Sequence, residues 1–348
     1  MDASLFRGIA GVAIGIAFTA AASAQAPLRA LGTFGNQLQS SEVEKPFFQN
    51  LAKATNNAVD VQFRTMDEVG LRGFDAMRLL KLGVFDVMAI QLGYVSGDEP
   101  FVLGIDLPGV APELAMARKV VEAYRPQFAR RLLEKYNGHT VALWPFPGQM
   151  FFCRSRIEGL DELKGKKVRT FTPAMAKFIE HFGGIAVTLA FPEVYEGLQR
   201  GVIDCAISSS ISGNTSKWYE VSNYIYPLNI GWGIQAHVVN NDFWRKLTPA
   251  ARDMLTAQFK KMEQDLWDLA DRTLQDGINC NTGSGPCRYG TAAKMTLIPV
   301  KPGDADRMKD AAQKVVLPDW GKDCTKSFPD CPRIWSESIG RVVGMSVK

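Results

Sequence analysis

The stretch Leu160-Asp-Glu-Leu-Lys-Gly-Lys-Lys-Val-Arg-Thr-Phe171 opens the most regular part of the chain. It contains a turn over 161–165 and a strand over 167–171. Helices and strands then alternate: a helix over 174–182, a strand over 186–189, a helix over 193–199 and a strand over 202–207. This alternation predicts an α/β lobe.

The residues before this stretch show the same alternation. Their apolar pattern predicts strands over 28–32, 59–63 and 84–90, with helices over 44–54 and 74–82 between them. The N-terminal part of the chain therefore predicts a second α/β lobe, built on a parallel sheet.

A break in the pattern separates the two lobes. A strand over 140–144 is followed by Pro145, Pro147 and Gly148, and an apolar run resumes over 150–153. Because proline and glycine interrupt regular structure, we interpret this break as a crossing between the lobes.

A long helix is predicted over 249–276. Thr248 is a suitable N-cap, Pro249 suits the first helical position, and apolar residues recur at helical spacing until Gly277. A helix of about 28 residues has the length to span both lobes.

The composition is that of a globular protein. The 348 residues are 46% hydrophobic and 22% charged, and at about 150 residues per domain this length predicts two domains. Lys and Arg (40) exceed Asp and Glu (36) by four, and the charges are interspersed. This balance argues against binding to nucleic acid.

The first 24 residues have the pattern of a secretory signal peptide. Arg7 precedes a charge-free apolar run over 9–20, and small residues at 22–24 precede Gln25. The alternative is a membrane anchor, but the run is shorter than the roughly 20 residues that a spanning helix needs. We therefore predict export to the periplasm, with cleavage near Ala24 and Gln25.

The six cysteines are an even number, which suits an oxidising compartment. Cys153 and Cys205 fall on predicted strands of the second lobe, and the sequence leaves open whether they meet. The other four lie in two pairs, each seven positions apart, in a C-terminal extension that we expect to brace the second lobe. The simplest hypothesis is two local disulfides, Cys280–Cys287 and Cys324–Cys331, among the 15 pairings that six cysteines allow.

Catalytic and cofactor motifs are not recognisable. The three histidines, His139, His181 and His237, are far apart and have no ligand partners at metal-binding spacing. Ser208 lacks the surroundings of a nucleophile elbow, and no helix follows the glycines of 231–236, as a dinucleotide site requires. We therefore predict no metal, no cofactor and no catalytic residue.

Two blocks, 160–169 and Phe191-Pro-Glu-Val-Tyr-Glu-Gly-Leu-Gln-Arg-Gly-Val-Ile-Asp204, carry a family resemblance. In order and spacing they resemble the periplasmic solute-binding proteins of tripartite ATP-independent periplasmic (TRAP) transporters, the DctP-like family. Shorter matches extend the resemblance over about residues 28–277. It implies a two-lobed α/β fold of the periplasmic-binding-protein kind, with a ligand cleft between the lobes and a long spanning helix.

The resemblance also implies how the chain divides. Lobe I takes residues 25–146 and 235–274, and lobe II takes 147–234 and 275–348. The helix over 249–276 spans both lobes.

The function that the resemblance implies is solute capture. Members of the family bind a small organic acid by closing their lobes and deliver it to membrane subunits of a TRAP-type transporter. We expect a monomer that is not an enzyme. Two alternatives stay open: a ligand-loaded sensor subunit, and an exported enzyme on the same fold, whose candidate residues are Glu193, Tyr195, Cys205 and Ser208.

The resemblance implies that Arg169 forms a clamp for the ligand carboxylate. A guanidinium matches both carboxylate oxygens with a planar fork of donors. The alternative is a surface residue in a basic run. Many members have a second Arg where Gln149 stands here and an Asn where Ser208 stands. Neither Gln nor Ser adds positive charge, so we expect a monocarboxylate.

Further cleft positions follow from the same resemblance. Gln91 and Gln235 match polar positions of the cleft, and Phe191 matches an aromatic residue that packs on the ligand. Tyr94 and Trp232 are additional candidate walls, with an ordinary place in the core as the alternative.

Overall fold

The computed structural model describes residues 27–347 and contains two β-sheets. The predicted signal peptide over 1–24, with its cleavage site, lies outside the described residues. Within the described range, no helix has both the length and the apolar composition needed to cross a membrane.

The first sheet has five strands in the order β2-β1-β3-β10-β4. Strands β1, β2 and β3 are parallel, whereas β10 runs antiparallel to both β3 and β4. The sheet is therefore mixed, not parallel as the sequence pattern predicted, because β10 enters from the other sheet and reverses the direction. Its strands are β1 Leu28–Leu31, β2 Val61–Arg64, β3 Val87–Gln91, β4 Gly138–Trp144 and β10 Gln235–Asn240.

The second sheet has six strands in the order β11-β9-β5-β8-β6-β7. Strands β6, β7 and β8 are parallel, and β5 runs antiparallel to β8 and β9. Its strands are β5 Gln149–Cys153, β6 Lys167–Thr170, β7 Ile185–Thr188, β8 Cys205–Ser209, β9 Tyr224–Tyr226 and β11 Thr296–Leu297.

Thirteen α-helices accompany these strands within residues 27–347, and short 3₁₀ or π-helical turns adjoin several of them. They are α1 Lys45–Ala54, α2 Ala76–Lys81, α3 Leu92–Val95, α4 Leu114–Tyr136, α5 Pro173–His181, α6 Val194–Gln199, α7 Ser210–Thr215, α8 Asn241–Lys246, α9 Pro249–Thr282, α10 Asp304–Ala311, α11 Leu317–Ser327, α12 Cys331–Trp335 and α13 Arg341–Val343.

Helix α9 is longer than predicted. It starts as expected, with the Thr248 side chain accepting a hydrogen bond from the Ala251 backbone. It then continues past Gly277 to Thr282, so its full length is 34 residues. A Cβ on Gly277 would lie 2.5 Å from the backbone nitrogen of Ile211, so this glycine permits close packing against α7. The helix ends at Gly283, whose φ of +68° is left-handed, as is common at helix C-termini.

The same helix contacts β4 of the first sheet and α7, which follows β8 of the second sheet. The Trp267 indole donates to the Leu143 carbonyl of β4, 2.9 Å away, and the Ser210 hydroxyl of α7 donates to the Leu274 carbonyl at 2.9 Å. The two-lobed α/β fold with a long helix is thus confirmed, while the predicted lobe boundaries stay a prediction.

The C-terminal extension, which we expected to brace the second lobe, contacts that part of the molecule and also the segment beside the first sheet. Asp304 accepts hydrogen bonds from the Leu160 backbone and the Tyr226 hydroxyl, which belong to the second half. Trp320 and Trp335 instead donate to the carbonyls of Pro100 and Gly104, beside the first sheet. Buried aromatic surface therefore draws the last helices to the first lobe.

Three disulfides are formed: Cys280–Cys287 and Cys324–Cys331, as hypothesised, and Cys153–Cys205. Cys153 and Cys205 are directly paired residues of the antiparallel strands β5 and β8. That pairing, which the sequence left open, links β8, which ends at the candidate site, with β5, which begins there.

Candidate functional site

A cavity with about 450 Å³ of empty space, open to solvent, lies between the two sheets. We call its two sides the first wall and the second wall, after the sheet that carries them; Phe146, in the crossing, lies between. The first wall consists of Thr33, Phe34, Gln37, Met66, Gln91, Tyr94 and Gln235, and the second of Gln149, Arg169, Phe171, Phe191, Ser208 and Ser212.

Strand ends bring the polar wall residues together. Thr33 follows β1, Gln91 ends β3, and Arg169 and Ser208 lie near the ends of β6 and β8. The carboxyl ends of parallel strands meet at one edge of a sheet, where α/β proteins commonly bind ligands. The antiparallel strands β5 and β10 begin at the same edges, so their first residues, Gln149 and Gln235, line the cavity.

Arg169 is the only charged residue of the cavity lining within the described residues, and it is 2% exposed. Its Nε donates to the Leu189 carbonyl at 3.0 Å, and one terminal nitrogen donates to the Ile207 carbonyl at 2.8 Å. The other terminal nitrogen lies 3.3 Å from the Tyr94 hydroxyl. These contacts use three of the five N–H donors, so the guanidinium is held in place with donors to spare.

The charge of Arg169 has no carboxylate partner within 4 Å among residues 27–347. Glu193 acts on it from a distance and pairs with Arg72 at 2.9 Å. Burial lowers the pKa of Arg169, while Tyr94 acts in the opposite direction. Guanidinium groups nevertheless stay protonated in proteins. A buried, unpaired cation is costly, and an anionic ligand would relieve that cost.

Aromatic rings surround the guanidinium. Its central carbon lies 4.8 Å from the centre of the Phe171 ring, and Phe191 stacks against Phe34 of the first wall at 6.0 Å. The Tyr94 hydroxyl also accepts from the Phe191 backbone at 2.8 Å. Burial raises the pKa of Tyr94, so its phenol stays neutral. The walls are thus apolar between a few fixed polar groups.

The glutamines differ in what they offer a ligand. The Gln91 side-chain oxygen accepts from the Gly93 backbone at 2.6 Å, which leaves its NH₂ as a donor. The Gln149 NH₂ donates to the Pro147 carbonyl at 2.9 Å, which leaves its oxygen as an acceptor. Gln235, also in the lining, is 2% exposed.

Seven of the eight predicted site residues line this cavity: Gln91, Tyr94, Gln149, Arg169, Phe191, Ser208 and Gln235. Trp232 does not line it. Its indole instead donates to the Ala111 carbonyl at 2.8 Å, and its backbone donates to Asp106 at 2.9 Å, both in the segment that precedes α4. Thr33, Phe34, Gln37, Met66, Phe146, Phe171 and Ser212 also line the cavity and were not predicted.

The residues considered for catalysis are dispersed. Cys205 is in a disulfide, and the Tyr195 hydroxyl donates to Glu220 on the surface. Ser208 lines the cavity, but none of the histidines that the structure describes does. Within residues 27–347, no group of three or more His, Cys, Asp or Glu side chains is arranged to hold a metal ion.

Comparison with known proteins identifies the family. The model of the bacterial extracellular solute-binding proteins of family 7, DctP, matches residues 35–317. The chain belongs to this family. Among its relatives, the C4-dicarboxylate-binding periplasmic protein DctP of Rhodobacter capsulatus is 26% identical to this solute-binding protein over 209 residues. The match covers 59% of this chain and 62% of the relative, which is less than two thirds of that relative's length.

Solved structures show the same fold. A Bordetella pertussis solute receptor that binds pyroglutamic acid, DctP7, has a TM-score of 0.78 and 18% identity over 89% of this chain and 99% of its own. A TRAP periplasmic solute-binding protein from Desulfovibrio salexigens, with bound orotic acid, has a TM-score of 0.79 and 15% identity over 91% of this chain and 100% of its own. At this identity, the likeness concerns the fold of this solute-binding protein and not its ligand.

Proposed function

We propose that this protein is a periplasmic receptor that captures a small monocarboxylate and delivers it to the membrane subunits of a TRAP-type transporter. The observation that carries the proposal is the buried guanidinium of Arg169, which has spare donors and no carboxylate partner within 4 Å in the described part of the chain. A ligand carboxylate would supply the missing charge and form charge-assisted hydrogen bonds.

A single carboxylate fits the cavity better than two. Every other polar side chain of the lining is an amide, a hydroxyl or a phenol. These groups hydrogen-bond neutral parts of a ligand, and the phenylalanines pack on its apolar surface. Pyroglutamate and orotate, the ligands of two structural relatives, each carry one carboxylate on a small ring with at least one N–H group, and they are suitable first probes.

A thermal-shift screen followed by calorimetry tests the proposal. The panel contains pyroglutamate, orotate, succinamate and succinate. We expect a monocarboxylate to raise the melting temperature of the wild type. Arg169→Ala should lower its affinity at least about a hundredfold, because a charge-assisted bidentate pair is lost, and Arg169→Lys should restore only part of it.

Arg200→Ala is the matched control. Arg200 is exposed and pairs with Glu196 at 3.2 Å on the same half of the molecule, so its removal should leave binding unchanged. Undiminished binding by Arg169→Ala would exclude Arg169 from the site. Conversion of a bound ligand, detected by mass spectrometry, would favour the enzyme alternative.

A further inference from the structure

Glu44 is a fully buried carboxylate directly behind the first wall. One of its oxygens, Oε2, accepts hydrogen bonds from the Thr33 backbone at 2.9 Å and from the Thr33 hydroxyl at 2.8 Å. Thr33 itself lines the cavity. A single residue therefore separates the Glu44 carboxylate from the space that a ligand would occupy.

The other oxygen of Glu44, Oε1, faces His237. The His237 Nε2 lies 3.0 Å from it, at an angle outside hydrogen-bond geometry, and both side chains are fully buried. The Trp144 indole donates to His237 Nδ1 at 2.8 Å. Because an indole N–H only donates, Nδ1 carries no proton, and the neutral imidazole keeps its proton on Nε2. His237 therefore supplies no positive charge to Glu44.

Two hydrogen donors hold the Glu44 carboxylate at Oε2. These donors are the Thr33 N–H and the Thr33 O–H, whereas the His237 Nε2 lies beside Oε1 without forming a hydrogen bond. No Lys or Arg lies within 4 Å of Glu44 among residues 27–347. A negative charge thus stands behind the first wall, opposite the positive charge of Arg169 in the second wall.

From this arrangement we infer that Glu44 determines specificity by excluding ligands with a second anionic group. The inference rests on the proposed function, because Arg169 must first hold one carboxylate. The other end of the ligand then lies toward the first wall, where a second carboxylate is repelled through a poorly screened interior. The Thr33 hydroxyl donates its hydrogen bond to Glu44. Its oxygen is therefore left to accept a hydrogen bond from an N–H or O–H group of the ligand.

Succinamate and succinate test this selectivity. The two molecules have nearly the same size and shape, but one carboxylate of succinate is an uncharged amide in succinamate. We expect the wild type to prefer succinamate by about tenfold or more, the effect of a nearby buried like charge. Glu44→Gln should reduce this preference toward unity by strengthening succinate binding. Glu42→Gln, an exposed neighbour, is the control.

Thr33→Val provides a second variant for the case that Glu44→Gln does not fold. It removes the hydroxyl but keeps the charge, so both ligands should bind more weakly while the preference for succinamate persists. A preference that disappears in Thr33→Val, or survives unchanged in a folded Glu44→Gln, overturns the inference. A wild type that binds succinate as tightly as succinamate also overturns it, as does a wild type that binds neither of these two molecules.

The proposed function fails in a different way. It fails when no carboxylate of the panel binds the wild type or when binding does not depend on Arg169. Binding that depends on Arg169, together with a preference that ignores Glu44, refutes the inference alone.

Discussion

The two walls of the cavity carry charge differently. The second wall presents Arg169 directly at its surface, fixed by backbone carbonyls of the neighbouring chain segments. The first wall presents only neutral groups, and its charge, Glu44, lies one residue deeper. A surface charge attracts and orients a ligand, whereas a charge behind a neutral wall mainly repels ligands that carry a further group of the same charge.

The walls also differ in how they are braced. In the second wall, the disulfide Cys153–Cys205 joins β5 and β8, which carry Gln149 and Ser208. The first wall has no such link among the described residues, and hydrogen bonds within it orient its side chains. We therefore expect ligand binding to couple the two walls only through their direct contacts. Three of these contacts can be tested separately.

Among these contacts between the walls, the largest expected effect concerns Gly93 of α3, beside the first wall. A Cβ at this position would lie 2.5 Å from the Thr172 methyl group and 3.0 Å from the Phe171 ring, both on the second side. Gly93→Ala should therefore hold the walls apart and oppose closure by about 2 kcal/mol, the usual cost of overpacking. Ligand affinity, measured by calorimetry, should fall roughly thirtyfold.

Gly97→Ala is the matched control for this substitution, because a Cβ at Gly97 meets nothing within 4 Å. Small-angle scattering with saturating ligand should show a more open Gly93→Ala protein. Wild-type affinity in Gly93→Ala would mean that the walls do not approach each other at this contact when the ligand binds.

The difference between the walls explains what the sequence reveals. Arg169 is predictable because it ends a strand in a recognisable block, and its chemistry suits a carboxylate by itself. Glu44 has no such signal: it sits at the start of a predicted helix, and its place behind the first wall is set by contacts with Thr33 and with His237, which is 193 positions away in the sequence. Thr33 and Met66 line the cavity from loops, where no periodic pattern marks them.

The fold shows the same division between local and tertiary causes. The alternation of strands and helices predicts the α/β class, since it follows from local burial. The antiparallel direction of β10 and the continuation of α9 past Gly277 depend on partners distant in the chain. Helix α4 was missed although it buries Val120, Tyr124, Phe128 and Leu132 at helical spacing, a signal that the sequence does contain.

A smaller effect is expected at Tyr94, whose hydroxyl accepts hydrogen bonds from Arg169 and from the Phe191 backbone of the other wall. Tyr94→Phe removes this acceptor and leaves both donors unpaired in the closed cavity. Because water satisfies these donors when the cavity opens, the cost should weaken ligand binding by about 1–2 kcal/mol, or roughly tenfold.

Tyr195→Phe serves as the control, since its hydroxyl bonds only Glu220 at the surface. Calorimetry measures the affinity, and thermal melting without ligand checks that the fold is retained. An affinity equal to that of the wild type would show that Tyr94 does not couple the walls.

The smallest effect is expected at the ion pair between Arg72 and Glu193, which joins the two halves at the rim of the cavity at 2.9 Å. The side chains are 69% and 35% exposed, so water and salt screen the pair strongly. Arg72→Ala should weaken ligand binding by at most about fivefold at low salt, and the difference should disappear near ~1 M salt, where the Debye length is about 3 Å. Arg78→Ala is a suitable control because Arg78 pairs with Asp75 within the first half. A loss as large as that expected for Tyr94→Phe, or one that salt does not reduce, would mean that Arg72 acts through contacts other than this exposed pair.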